Sequence, residues 1–339
     1  MQRRTFLLGT LLAGAAASPA MAAADETKLS AGFVNAVGSI YLDTLKTVPG
    51  RIKAATQGKL DIVEYASLVD GPDQPAAVRD DRLDSSFAVT PWLSADTPYL
   101  NFGSLPGLVT EEGVYHKLLD EYLRAATAKI WLSKYNAVQV MTGLFEEQCL
   151  ISKVPIRKVE DFRGKKVRVI STEAAELMKK LGAAPTPVPF GEIVPALQRS
   201  IVDIVMTSVG TANGFGFYTV AKYISIWKIG TIVPWSYIVN KNAWAKLPAD
   251  IRGPAQAELR KIEDEHFASL AAFDNKCIQE FIKHGMQVYE APPSELAKVF
   301  DKQNVAAVYN NWYKLNDRAG TDGRALVKKI RELEAKIKA

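Results

Sequence analysis

Few side chains in this sequence are of the kinds that make or break bonds. Its three histidines, His116, His266 and His284, lie in segments of helical periodicity. None falls in a His-Glu-x-x-His or Cys-x-x-Cys spacing that would gather ligands around a metal. Each is expected to be a surface or core residue. Glu146 and Glu147 are adjacent carboxylates, but neighbours on a strand point to opposite faces, so they are not expected to pair as general acid and base. Gly214-Phe215-Gly216 lacks the third glycine and the strand-to-helix setting of a dinucleotide loop. There is no Gly-x-Ser-x-Gly elbow and no P-loop. The two cysteines, Cys149 and Cys277, each sit in an apolar stretch. Buried free thiols are the expected state there, with a disulfide as the alternative that only their separation decides. This shortage of reactive motifs shifts the weight from catalysis to binding, and no cofactor or metal is expected.

The elements that would position a site alternate short strands with amphipathic helices, which argues for an α/β architecture. Strands are expected over Leu29–Val34, Lys59–Tyr65, Ser85–Val89, Val138–Leu144, Lys166–Ile170, Ile201–Met206 and Tyr237–Val239. The first helix runs through Ile40, Leu45 and Ile52 and ends at Gly58. Others are expected over Glu173–Leu181, closed by Gly182, and over Glu192–Arg199. A long helix begins after Leu247-Pro248, with Ile251, Ala255, Leu259, Ile262 and Leu270 near helical spacing, and stops at Gly285. Two more helices, Ser294–Leu315 and Gly323–Lys338, complete the chain. No internal repeat or low-complexity linker occurs, so two lobes would be joined by ordered segments, as in a hinged clamp.

The first twenty-two residues read as an export signal, 1–22. Arg3 and Arg4 give a charged start, Thr5–Ala17 an apolar run too short to span a bilayer, and Ala20-Met21-Ala22 a small-x-small cleavage site. Arg3-Arg4-Thr5-Phe6-Leu7-Leu8 also fits a twin-arginine signal. An ordinary Sec signal fits as well, and both routes lead out of the cytoplasm, to the periplasm. Cleavage would remove two arginines and no acid, taking the formal charge from +5 to +3. No basic cluster is present, so nucleic acid is not an expected partner. No second long apolar run exists, so the mature chain is not expected to be embedded in a membrane. About 317 residues would remain, more than one hydrophobic core usually serves.

The most specific stretch runs from Val159 to Ser208. Val159-Glu160-Asp161-Phe162-Arg163-Gly164-Lys165-Lys166-Val167-Arg168-Val169 is followed by Leu181-Gly182-Ala183 and Pro187-Val188-Pro189-Phe190-Gly191-Glu192-Ile193. Ala196-Leu197-Gln198-Arg199-Ser200-Ile201-Val202-Asp203 comes next. This closely resembles the solute-binding proteins of tripartite ATP-independent periplasmic (TRAP) transporters, the DctP type. The likeness is strong over these residues and looser along the rest of the mature chain. It implies a two-lobe periplasmic-binding fold with a hinge-spanning long helix, with lobe I expected from 23–146 plus 236–278 and lobe II from 147–235 plus 279–339. It also implies a small organic acid held between the lobes and membrane permease subunits as partner.

In the family one arginine pairs with the ligand carboxylate, and that position matches Arg168. A guanidinium suits the task because its planar fork meets both carboxylate oxygens. Buried without a partner it would be costly. Two departures bear on the ligand. Thr207 occupies the place of a ligand-holding asparagine. Gln148, beside Glu147, occupies the place of a second arginine, which argues against sialic acid and simple dicarboxylates. Alignment with the family places Trp92 at a ligand-contacting position. Phe33, Phe145 and Trp235 are further candidates for the cleft, and Asn35 for a polar contact. Four aromatics and one arginine suggest an acid with a flat or apolar body. The expectation is a non-catalytic receptor for an organic monocarboxylate. An organic-acid enzyme or a sensory module on the same fold are the alternatives.

Overall fold

The computed structural model describes residues 26–66, 68–230 and 232–338. The expected export signal lies outside the described residues. Among the described residues eleven strands form two sheets. They are β1 Thr27–Gly32, β2 Leu60–Tyr65, β3 Ser85–Val89, β4 Ala137–Leu144, β5 Gln148–Ser152 and β6 Lys166–Arg168, then β7 Ala184–Pro185, β8 Ile204–Ser208, β9 Tyr223–Ile226, β10 Pro234–Asn240 and β11 Gln287–Glu290. The first sheet has the order β2-β1-β3-β10-β4 and the second β11-β9-β5-β8-β6-β7. Each is the spine of one lobe of an α/β fold. In both, parallel neighbours are interrupted by strands that arrive from the other lobe: β10 runs antiparallel between β3 and β4, and β5 antiparallel between β8 and β9.

Local chemistry accounts for the elements around the seam. Ser39 caps the helix Ile40–Ala55 by accepting the Leu42 N–H at 3.1 Å, which satisfies a donor the helix itself cannot. Its buried face, Tyr41, Leu45, Val48 and Ile52, keeps helical spacing against the first sheet. Ser171 caps Thr172–Lys180 in the same manner at 3.1 Å. Gly182, at φ +83°, turns the chain out of that helix toward β7, a conformation that glycine adopts without strain.

The helix Ala249–Lys283 has 35 residues, about 50 Å at the usual rise per residue. Ile251, Ala255, Leu259 and Ile262 pack into the core of the first sheet, and Cys277 and Phe281 into a core of the second. It therefore spans both lobes. The chain crosses between the sheets twice more, at 145–147 and at 227–233. Glu146 and Glu147 lie in the first of these crossings rather than on a strand, which corrects the strand placement.

Several expected boundaries shift. The strand predicted over Ile201–Met206 is β8, Ile204–Ser208, and the one over Lys166–Ile170 ends at Arg168. The helix predicted over Ser294–Leu315 is two, Pro293–Val299 and Lys302–Ala319. Asp301 breaks it by capping the second, accepting the Gln303 N–H at 2.8 Å. Cys149 and Cys277 are both buried and free.

Candidate ligand-binding site

A cavity opens at the seam, where β3, β4, β6 and β8 end and β5 and β10 begin. Its empty space is about 330 Å³ including the mouth. Arg168, Thr207, Trp92, Phe145 and Gln148 all line it, from four separate stretches of the chain. Strand ends at a topological crossover are where open α/β sheets bind ligands.

Arg168 is the electrostatic centre. It ends β6 with 4% of its surface exposed. The neighbouring strand, parallel in register Arg168↔Val205, brings the Met206 carbonyl within reach, and Nη1 donates to it at 2.8 Å. Nε has no hydrogen-bond partner among the described residues. Among the described residues no carboxylate opposes the charge, and burial alone pulls the guanidinium down to about 10. A buried cation held by one carbonyl is strongly predisposed to an anion.

The rest of the lining divides into two kinds. Val89, Pro91, Trp92, Phe145, Ile170, Phe190 and Val233 make it largely apolar. Trp92 and Phe190 meet across the seam with ring centroids 5.6 Å apart. Gly71 makes room behind Trp92, since a Cβ there would lie 2.3 Å from its Cζ3. Gln148, Thr207, Ser208 and Thr211 form a neutral polar wall. Gln148 pairs with Ser208 in the β5–β8 register, and Ser208 caps the helix Val209–Gly214 while its hydroxyl donates to Thr211 Oγ1 at 2.9 Å.

Three sequence candidates stand elsewhere. Phe33 is buried in the core of the first sheet, with the Lys46 ammonium 4.2 Å above its ring. Trp235 is fully buried among Tyr41, Phe87 and His266, and its indole N–H donates to the Leu144 carbonyl at 3.2 Å. Trp235 shares a face with Val233, Tyr237 and Val239, so the strand period turns it into the core. Asn35 is exposed and does not line the cavity. Conversely, Ser208, Thr211, Phe190 and Ile170 line it without having been singled out. Phe190 lies within the quoted Pro-Val-Pro-Phe-Gly-Glu run, and Ser208 carries the signal of a helix-capping serine directly after a buried strand.

Behind the polar wall lies Glu146, fully buried. One oxygen accepts the Ile40 N–H across the seam and the other has no partner among the described residues. Burial pushes its carboxyl up to about 7, against the opposing pull of the Ile40 N–H. Glu173, at the start of its helix, is raised to about 7 for the same reason while accepting from Asn101 Nδ2. The histidines stand apart. His266 is buried, bridges Thr44 and Leu144, and is pushed down to about 4 by desolvation. His116 stacks on Phe267 and His284 on Tyr218. Among the described residues no three His, Cys, Asp or Glu side chains gather as a metal would require.

Residues 32–315 match the family described as bacterial extracellular solute-binding protein, family 7, DctP. The chain belongs to this family. Such proteins are the solute receptors of TRAP transporters. The sialic acid-binding periplasmic protein SiaP of Vibrio cholerae serotype O1 is 24% identical over 267 residues, 77% of this chain and 82% of that protein. The C4-dicarboxylate-binding periplasmic protein DctP of Rhodobacter capsulatus is 30% identical over 146 residues, 40% of this chain and 42% of that one. Among solved structures, the pyroglutamic acid-binding receptor DctP7 of Bordetella pertussis superposes with a TM-score of 0.81 at 21% identity, covering 91% of this chain and 99% of the other. A TRAP periplasmic solute-binding protein of Desulfovibrio salexigens with bound orotic acid gives 0.83 at 19%, with the same coverage. At these identities the likeness shows the two-lobe fold. Among the described residues no helix is long and apolar enough to cross a membrane.

Proposed function

We propose that this chain is a non-catalytic periplasmic receptor that captures an organic monocarboxylate with a flat or apolar body and delivers it to the membrane permease of a TRAP transporter. Arg168 anchors the carboxylate. Trp92 and Phe145 bound the apolar body, and Thr207 and Gln148 add hydrogen bonds. The observation that carries this reading is Arg168, a guanidinium 96% buried at the seam with no acidic partner among the described residues. Charge-assisted pairing in so dry a place is strong and directional.

The lining supports a receptor over an enzyme, since it presents no histidine, cysteine or carboxylate to move a proton or attack a substrate. One structural neighbour is a receptor binding pyroglutamic acid and another was solved with bound orotic acid, both compact ring acids, which fits the wall chemistry here. Titration calorimetry against a panel of small acids tests the reading. Arg168→Ala should abolish binding of the acid the wild type takes, and unchanged affinity would remove the anchor.

A further inference from the structure

The polar wall has a direction. Gln148 is buried and its Nε2 donates to the Glu146 carbonyl at 3.1 Å. That bond fixes the amide, because flipping it would set two oxygens against each other and leave a buried carbonyl without its donor. Its Oε1 accepts no hydrogen bond from any described residue, and the side chain lines the cavity. Thr211 has the complementary arrangement. Its Oγ1 accepts from Ser208, so its own hydroxyl proton is uncommitted among the described residues. The wall therefore offers an acceptor from Gln148 and a donor from Thr211. Arg168, Thr207 and Ser208 stand on the same lining, and the rest of it is apolar.

We infer that Gln148 is a specificity-determining residue that selects monocarboxylates bearing a neutral N–H donor, of the class in which the ring carries a –CO–NH– edge. A cis amide edge presents N–H and C=O side by side, and an open chain rarely does so because its amides are trans. The N–H meets Gln148 Oε1 and the C=O meets the Thr211 hydroxyl, while the ring lies against Trp92 and Phe145. A second carboxylate at this wall would face an acceptor that cannot turn away, so diacids are rejected. A site built to hydrogen-bond a donor rejects the isostere that lacks it, because its own polar atom is then buried unpaired.

The inference rests on Arg168 holding the carboxylate, and the experiment separates the two. Titration calorimetry compares 5-oxopyrrolidine-2-carboxylate, cyclopentanecarboxylate and glutarate on the wild type, Gln148→Met and Arg168→Ala. The expected result is that the wild type binds the lactam acid at least about 10-fold tighter than the carbocyclic acid and glutarate more weakly than either, the loss of one buried hydrogen bond. In Gln148→Met the lactam preference should shrink to within about 3-fold while the carbocyclic acid keeps its affinity. Equal binding of the two ring acids to the wild type, abolished in Arg168→Ala, overturns the role of Gln148 and leaves the anchor standing. Tighter binding of glutarate overturns it too. If the wild type binds none of the three, the inference falls. The wild-type comparison alone decides, so poor folding of Gln148→Met would not shelter it.

Discussion

Replacing Arg168 by methionine should separate a ligand anchor from a structural arginine by moving two quantities in different directions. Methionine fills much of the volume of the arginine stem without its charge. In the protein without added acid, burial alone lowers the guanidinium from its usual range above 12 to about 10, which corresponds to about 3 kcal/mol against the charged form. The variant is relieved of that term. It loses the bond from Nη1 to the Met206 carbonyl, worth about 1–3 kcal/mol when the carbonyl is left unsatisfied. The balance is a fold at least as stable as the wild type, within about 2 kcal/mol. Affinity for the acid behaves oppositely, since deleting one partner of a buried charge pair costs about 3–5 kcal/mol, at least a 100-fold rise in Kd. Urea unfolding followed by circular dichroism gives the first quantity and calorimetry the second. Loss of more than about 3 kcal/mol of ligand-free stability, with affinity nearly unchanged, would refute the reasoning and make Arg168 a strut.

Other outcomes are as definite. Glu146 and Glu173 hold their protons more tightly folded than unfolded, their carboxyls being raised to about 7 by burial. The folded state then binds more protons than the unfolded one between pH 4.5 and 7, so stability should be full below that window and fall as pH rises through it, by about 3 kcal/mol per group. Denaturation of Glu146→Gln and Glu173→Gln across pH 4–8 should show a flatter slope, and an unchanged slope would contradict the burial argument. Gly71→Ala should press on Trp92, whose Cζ3 would lie 2.3 Å from the new Cβ; overpacking of this kind costs about 1–3 kcal/mol, read as weaker binding with altered tryptophan fluorescence. Gly214→Ala would set a Cβ 2.1 Å from the Val37 carbonyl oxygen across the seam. X-ray scattering should show that variant more open, and an unaltered profile would mean the contact yields. Cys149 and Cys277 are free and buried, with burial pushing the first well up and the second to about 12, so iodoacetamide should label them only in denaturant and reductant should leave the melting temperature unchanged.

How much of this was legible in the sequence depended on how local each signal was. The long helix and the final helix were plain because one stripe of apolar residues repeats at helical spacing. Arg168 was legible because the resemblance to the TRAP solute-binding proteins puts a carboxylate-pairing arginine at its place in the Val167-Arg168-Val169 run. Strand β5 escaped notice, as Gln148 through Ser152 are buried on both faces and no alternation survives. Strands β9 and β11 have only four residues each, too short for periodicity to speak. Phe33, Phe145 and Trp235 have the same composition signal, yet only Phe145 reaches the cavity. What separates them is which way the pleat turns each ring at the seam, and register is set by pairing partners far away in the chain. Gln148 was noted for what it replaced, whereas its fixed amide depends on a carbonyl two residues back whose direction only the crossing reveals.

The three connections between the sheets bind the molecule like the stitched spine of a book. Torsion and sliding are restrained by three threads at once, and the motion left to the two covers is one rotation about the stitching. Phe145, Gln148 and Val233 sit in or beside those threads, so they stay nearly still as the covers swing. Trp92 and Phe190 are on opposite covers, so such a rotation would carry them toward each other until they meet, as they do here. An incoming molecule would thus land on a rigid bed before either wall arrives, and its fit to that bed decides whether the volume shuts.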